Sequence, residues 1–320
     1  MKRLILICAL AIATLTAFAQ DEYPNKPVTL VVATPPGGVT DKVMRLMARS
    51  LQARWNNTSV IVDNRAGAAG NIASAHVAKA PADGYTLLVS AGPFAINPAL
   101  FRSLPFDTRK DFTPIALIGT FSSVLLVNES FPAKTYAEFV NLARNPATPL
   151  VVASPGNGTA QHLGLELLRS ASKLNINHVP YKGGAPAMND LIAGHVKVMM
   201  SGMGDASPQL SSGRIRAIAV TGKNRSPLLP NVPTFTELGV MDFDASGWVG
   251  LHAPTGTPPQ IIAKINRDVA AVLAEPAVRQ AMASLDVEPH TTSLPEFRQY
   301  MDVQFSKWKE AVDLSGAKVD

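Results

Sequence analysis

The chain holds a single cysteine in 320 residues, Cys8, and it sits inside an apolar run close to the start. With no second thiol there is no disulfide, no zinc–thiolate centre and, once that run is removed, no cysteine nucleophile. No later run is long and apolar enough to cross a bilayer. Blocks of Lys and Arg interleaved with aromatics are missing, and aromatics make up only 6% of the chain, so nothing points to nucleic acid. The nucleophile elbow G-x-S-x-G, the zinc helix H-E-x-x-H, the Walker lysine and the G-x-G-x-x-G fingerprint are all absent. The six histidines (76, 162, 178, 195, 252 and 290) follow no metal-ligand spacing. The reading is of a chain with no catalytic residue, no metal and no cofactor.

What is present begins with Met1-Lys2-Arg3, an apolar stretch over residues 4–15 and Ala17-Phe18-Ala19. A basic start, a short apolar core and an A-x-A site predict a secretory signal peptide cleaved after Ala19, and hence a periplasmic protein. Cys8 lies too near the start to serve as a lipid-attachment site. Losing Lys2 and Arg3 lowers the formal charge from +5 to +3, so the basic balance is mild. About 300 remaining residues, at 47% apolar composition, are ample for two α/β domains.

Strand-like and helix-like runs then alternate almost throughout, which predicts α/β layers with mostly parallel strands. Residues 28–33 are an apolar β-branched run. Residues 41–55 carry Val43, Met47, Leu51 and Trp55 at helical spacing. Between them lies Thr34-Pro35-Pro36-Gly37-Gly38-Val39-Thr40-Asp41, with Thr40 or Asp41 placed to cap the helix. Free N–H groups and the positive end of the helix dipole make such a turn an anion site. Alone, it is an ordinary tight connection. Glycine-bearing strand ends recur, however, near Gly92, Gly156, Gly183 and Gly202. In open α/β sheets ligands bind where strand ends and helix starts converge, so the set predicts a binding cleft between two domains. The 91–98 segment reads as a loop on that edge. Apolar extended runs at 113–127 and 243–252 read as crossovers, which makes the first domain discontinuous and returns the helical C-terminus to it.

None of the loops near Gly37, Gly92 and Gly156 carries an arginine or lysine, so recognition would rest on backbone N–H and hydroxyl groups. Ser154 and His162 are not spaced as a dyad. His162, beside Leu163 on an amphipathic helix, reads as packing under its loop and steadying it. Asp41 reads as a helix cap rather than a cation ligand. Trp248 and Tyr181 read first as packing residues.

Motif by motif, the chain resembles the Bug-type (TctC-like) receptors. The matching residues are Tyr23-Pro24-x-Lys26-Pro27, Pro35-Pro36-Gly37-Gly38-x-Thr40-Asp41, Asn64-Arg65-x-Gly67-x-x-Gly70-Asn71 and Asp83-Gly84-Tyr85. They continue through Asn97-Pro98, Gly156-x-Gly158-Thr159-x-x-His162-Leu163 and His178-Val179-Pro180-Tyr181-Lys182-Gly183. Leu229-Pro230-x-Val232-Pro233-Thr234 and Ala253-Pro254-x-Gly256-Thr257-Pro258 complete the set. The resemblance spans essentially the whole mature chain. It implies an α/β, two-domain, type II-like Venus-flytrap fold, each domain a mostly parallel sheet flanked by helices, joined by two crossover strands. The expected division is a signal peptide at 1–19, a first domain at 20–122 and 246–320, and a second at 123–245.

The resemblance further implies a small organic carboxylate, a dicarboxylate or an aromatic acid, held by backbone amides of the 37–40 and 156–159 loops. The implied contact residues are Thr34, Pro35, Gly37, Gly38, Thr40, Ala91 and Phe94 on one side. On the other they are Ser154, Asn157, Gly158, Thr159, Tyr181, Ser201 and Met203, with Asp41 and His162 in support. Ala66 and Ala69 replace a usual proline and glycine, Phe94 stands where a polar residue is common, and the Ser201-Gly202-Met203-Gly204 segment departs from the family's. Phe94 and Met203 favour an apolar or aromatic body behind the carboxylate. The implied partners are a large and a small integral membrane subunit of a tripartite transporter, the receptor itself being a monomer. A ligand-sensing adaptor docking on a membrane sensor kinase is the second reading.

Overall fold

The computed structural model describes residues 23–240 and 243–319; the signal peptide predicted at 1–19 and its expected cleavage site lie outside them. In chain order the elements are β1 (Val28–Val32), α1 (Val39–Arg54), β2 (Val60–Asn64), α2 (Asn71–Ala78), β3 (Thr86–Ala91), α3 (Gly92–Leu100), β4 (Phe112–Phe121) and β5 (Ser123–Asn128). They continue with α4 (Tyr136–Ala143), β6 (Leu150–Ser154), α5 (Ala160–Ser172), β7 (Ile176–Pro180), α6 (Gly184–Ala193), β8 (Val198–Gly202), α7 (Met203–Leu210) and β9 (Ile215–Val220). The last are β10 (Gly247–Pro254), α8 (Pro259–Leu273), α9 (Pro276–Ala283), β11 (Val287–Pro289) and α10 (Leu294–Ser315).

Two sheets result, one of six strands in the order β11-β4-β10-β3-β1-β2, the other of five in the order β7-β6-β8-β5-β9. Each has a parallel half, β3-β1-β2 and β7-β6-β8, from which the strand-to-helix turns spring. The α/β layering predicted from the alternation is present, but the sheets are mixed rather than mostly parallel. The cause is the crossing: β10 enters the first sheet antiparallel to both of its neighbours, β3 and β4, and β5 lies antiparallel to β8 and β9 in the second.

β4 runs into β5 with only Ser122 between them, so one extended strand serves both sheets. The junction is tied down by hydrogen bonds from Ser122 N to Asp286 Oδ2 (3.1 Å), Ser123 N to Thr221 Oγ1 (2.8 Å) and Ser123 Oγ to the Ala245 carbonyl (3.0 Å). One apolar cluster, which includes Val43, Met47, Ile265 and Val272, lies on the α1 and α8 side of the first sheet. A second, with Met188, Leu191 and Ala206, lies on the α6 and α7 side of the other. The largest joins both lobes, because α10 packs against α3 in the first and α5 in the second through Phe297, Met301, Trp308 and Val312. The C-terminal helix therefore spans both lobes, where the sequence reading placed it on one.

The 91–98 segment, expected to be a loop, enters a helix instead, with Gly92–Leu100 forming α3. Pro93 sits in the first turn, where no N–H is needed, and burial of Phe94, Ile96 and Leu100 holds the rest.

Candidate functional site

Four helices, α1, α3, α5 and α7, begin where the two lobes face each other, and their starts meet in pairs across the gap. A methyl group on Gly204 of α7 would lie 2.5 Å from Val39 Cγ2 of α1. One on Gly158, just before α5, would run into the Leu100 side chain of α3, and one on Gly92 of α3 would stand 3.8 Å from Ala160 Cβ. Within the second lobe, Gln161 Nε2 of α5 donates to Ser123 Oγ of β5 at 3.2 Å. The space between is bordered by helix N-termini, whose dipoles favour negative charge.

In the first-lobe loop the helix starts two residues earlier than the capping pattern predicts. Gly38 is the N-cap, and neither Thr40 nor Asp41 takes that place. Gly37 adopts φ +87°, a left-handed conformation that favours glycine. Asp41, at the third helical position and buried, turns back to accept the Gly37 N–H at 2.9 Å. Arg45 Nε donates to the same oxygen at 3.1 Å, and its Nη2 approaches the other at 3.0 Å, pairing the charges but off-line for a hydrogen bond. Arg45 also donates to Asn64 Oδ1 (2.9 Å), whose amide holds the Thr34 carbonyl (3.1 Å). Burial works against ionising Asp41, but the hydrogen bonds from Arg45 and Gly37 outweigh it and hold the carboxyl below its ordinary value. Thr34 Oγ1 is buried without a partner; Pro35, Gly37 and Gly38 are exposed and Thr40 is buried.

The second-lobe loop repeats the arrangement with other groups. Thr159 caps α5, accepting the His162 N–H at 3.2 Å while its hydroxyl donates to the Gly156 carbonyl at 2.8 Å. His162, again at the third helical position, accepts the Gly158 N–H on Nδ1 at 3.0 Å. Its ring stacks on His178, with centroids 4.1 Å apart. His178 Nε2 lies 2.6 Å from Ser154 Oγ, and that hydroxyl accepts the Gly156 N–H at 3.2 Å. Burial lowers both imidazoles to about 4; at His178 the His162 ring adds to the effect and Glu166 opposes it, and both rings are neutral at neutral pH.

Several residues grouped by the sequence reading are placed differently. Phe94 does not face the gap; its ring packs on Phe112 (5.3 Å) and His252 (4.8 Å) within the first lobe. Met203 is fully buried in the second-lobe core, because its N–H is bound by the Ser122 carbonyl and its side chain turns inward. Ser154 and Ser201 are buried, and Ser154 braces its own loop. Tyr181 is half-buried and donates to Asp190 Oδ2 at 2.7 Å, a bond that, after burial, helps push its pKa up to about 12. Ala91 ends β3, half-buried, directly before α3. Asn157 is exposed at the tip of its loop.

His178 was missed as part of this network. Pairing of β6 with β7, Val152 opposite His178, carries it beside Ser154, and that register is a long-range fact. The N–H groups of Gly37, Gly156 and Gly158 are thus engaged internally. The helical N–H groups just beyond, Val39 and Thr40 in one loop and Ala160 and Gln161 in the other, have no intrahelical acceptor.

The family described as tripartite tricarboxylate transporter family receptor (TctC) matches residues 43–316. Protein BugT of Bordetella pertussis is 34% identical over 324 residues, covering 100% of this chain and 99% of that one. Among solved structures, R. palustris Rpa4515 with adipate superposes with a TM-score of 0.82 at 33% identity, over 93% of this chain and 100% of the other. MatC from Rhodopseudomonas palustris with bound malate gives 0.76 at 33% identity, over 91% of this chain and 100% of the other.

Proposed function

The chain belongs to the tripartite tricarboxylate transporter receptor family, periplasmic solute-binding receptors rather than enzymes, and from that premise we propose that it captures a small aliphatic carboxylate between its two lobes. The lobes comprise residues 20–122 with 246–320, and 123–245, and the receptor acts as a monomer. It delivers the ligand to the large and small membrane subunits of a tripartite transporter. A signal peptide cleaved after Ala19 takes it to the periplasm.

The observation that carries this reading is the pairing of helix N-termini across the gap, α1 with α7 and α3 with α5. Structures of relatives at 33% identity hold adipate and malate, both carboxylates. The donors are the N–H groups of Gly38, Val39 and Thr40 in one loop and Asn157, Ala160 and Gln161 in the other. The glycines and hydroxyls behind them hold the loops in shape. Phe94 and Met203, the side chains that would favour an aromatic body, are turned away, and the ligands held by the relatives are aliphatic, so an aliphatic chain is favoured over an aromatic one. Hydrogen bonds to a charged group contribute about 1.5–3 kcal/mol each and a helix dipole about 0.3–1 kcal/mol. Four such contacts, less the cost of association, reach micromolar affinity, about −8 kcal/mol.

The test is calorimetry and thermal shift on protein freed of co-purified ligand, across aliphatic, amino-acid and aromatic acids. An aliphatic acid at a hundred times its Kd should add about 2.7 kcal/mol of stability. Silence across the whole panel would overturn the proposal.

A further inference from the structure

A second cavity, of about 330 Å³, lies on the first lobe between the start of β4, the 107–110 loop and α10. Its wall is aromatic: the Phe94 ring centroid lies 5.3 Å from that of Phe112 and 6.4 Å from that of Phe305. Three cations, Arg109, Lys110 and Arg298, border it. Arg109 is tied to Asp302 at 2.7 Å and Lys110 to Asp107 at 3.3 Å, while Arg298 forms no ion pair among the described residues.

His252 also lines this cavity and is 1% exposed. Its Nδ1 stands 3.0 Å from Ser90 Oγ, which in turn is 3.3 Å from the Gly250 carbonyl. The serine hydroxyl has one proton, and a carbonyl can only accept. Both contacts are satisfied when Ser90 donates to Gly250 and His252 Nδ1–H donates to Ser90. Nε2 is then a bare acceptor, and it is buried without a partner. Buried polar atoms are rarely left so, and an orphan of this kind calls for a donor.

We propose that this cavity is a second ligand site, separate from the gap between the lobes, for a small aromatic carboxylate bearing a ring hydroxyl. The ring takes the place of the Arg109 guanidinium, which stacks on Phe305 at 4.4 Å in the free protein, and the carboxylate pairs with Arg298. The hydroxyl enters past the buried Phe94 ring to donate to His252 Nε2, which the free protein closes off. A cavity of this size, with phenylalanines on one wall and cations and threonines on the other, suits such a molecule. The proposal does not rest on what the interlobe gap binds.

The probe is 4-hydroxybenzoate, read through the methyl resonance of Met301, which lines the cavity, in protein carrying ¹³C-methyl methionine. Met301→Leu assigns the resonance. Titration should shift it to saturation in the parent protein and in Gly38→Asp alike, since Gly38 lies in the other site. Arg298→Ala, an exposed change, should weaken the probe by roughly tenfold, the scale of one charge-assisted contact. Benzoate, which lacks the hydroxyl, should bind about tenfold more weakly than 4-hydroxybenzoate, and His252→Phe should erase that difference. An unmoved resonance at millimolar probe would overturn the proposal. So would loss of the shift in Gly38→Asp, equal affinity of the two acids in the parent, or full affinity in Arg298→Ala.

Discussion

Asp41 in the first lobe and His162 in the second stand at the same place, the third residue of a helix, and each accepts the N–H of the residue just before the cap, at 2.9 and 3.0 Å. The geometry is shared and the chemistry is not. The carboxylate brings a charge, and with it Arg45 and Asn64 as partners that also hold the Thr34 carbonyl. The imidazole brings no charge; it is held instead by stacking on His178, which fixes Ser154. Two loops of one shape therefore answer differently to protons and to substitution. In both, the side chain takes the glycine N–H, so that the donors left over are those at the helix start.

The sharpest way to break the symmetry is Gly38→Asp. A side chain here meets nothing closer than the Pro35 carbonyl at 3.8 Å, and φ is −72°, so the fold should be kept. The new carboxylate would face the bound one. Like charges so placed cost several kcal/mol, and calorimetry should record a loss of roughly a thousandfold in affinity for an aliphatic acid with an unchanged thermal melt. Affinity that survives would make this turn a mere connection.

Acidification separates the loops next. Burial holds His162 at about 4, below the 6.5 of a free imidazole. Between those values the unfolded chain binds a proton that the folded one refuses. Its contribution is thus complete above about pH 6.5 and drains as the pH falls towards 4, by at most about 1.4 kcal/mol per pH unit. Asp41 is held below 3.8, so its contribution persists above that value and is lost only as the pH falls further. Amide exchange at pH 5 should find the Gly158 N–H loosened and the Gly37 N–H still protected. His162→Asn, which keeps an acceptor but does not titrate, should flatten the response at Gly158. Equal loss of protection at both glycines would show that the difference in chemistry has no consequence.

The smallest effect lies beside the first loop, in the 64–71 turn. Ala69 is held at φ +52°, a left-handed conformation costly to any residue with a Cβ. Its carbonyl is fixed by Asn97 Nδ2 at 2.9 Å. Ala69→Gly should relieve that strain and raise stability by about 1 kcal/mol in denaturant unfolding. A loss of stability would mean that the chain entropy added by glycine outweighs the strain.

The fold was legible because periodicity reports burial: Val28, Leu30, Val31 and Val32 of β1 and the Val43, Met47 and Leu51 stripe of α1 are all buried. The positions of the turns followed from the same alternation. What was not legible depends on which way a side chain leaves the backbone. Phe94 and Met203 sit in the right loops, but each is turned by its helix into its own lobe, and no local pattern reports that. His178 joined the second loop through strand pairing, 24 residues from Ser154 in the chain. The helix at 92–100 was not legible in a short sequence bearing two prolines: Pro93 falls in the permitted first turn, whereas Pro98 lies in the interior and is held there by burial of Phe94, Ile96 and Leu100.

The unbroken strand from β4 into β5 also bears on how the protein comes to be folded. All five strands of the second sheet arise from one stretch, residues 123–220, so that lobe can close as soon as its own sequence is free. The first sheet cannot. β10, which stands between β3 and β4, arrives more than 150 residues after β3, and α10 later still. The strands that come first in the chain are therefore the last to be completed. Until β10 docks, β3 and β4 present open apolar edges in the order-dependent way that makes long-range pairing slow and prone to self-association.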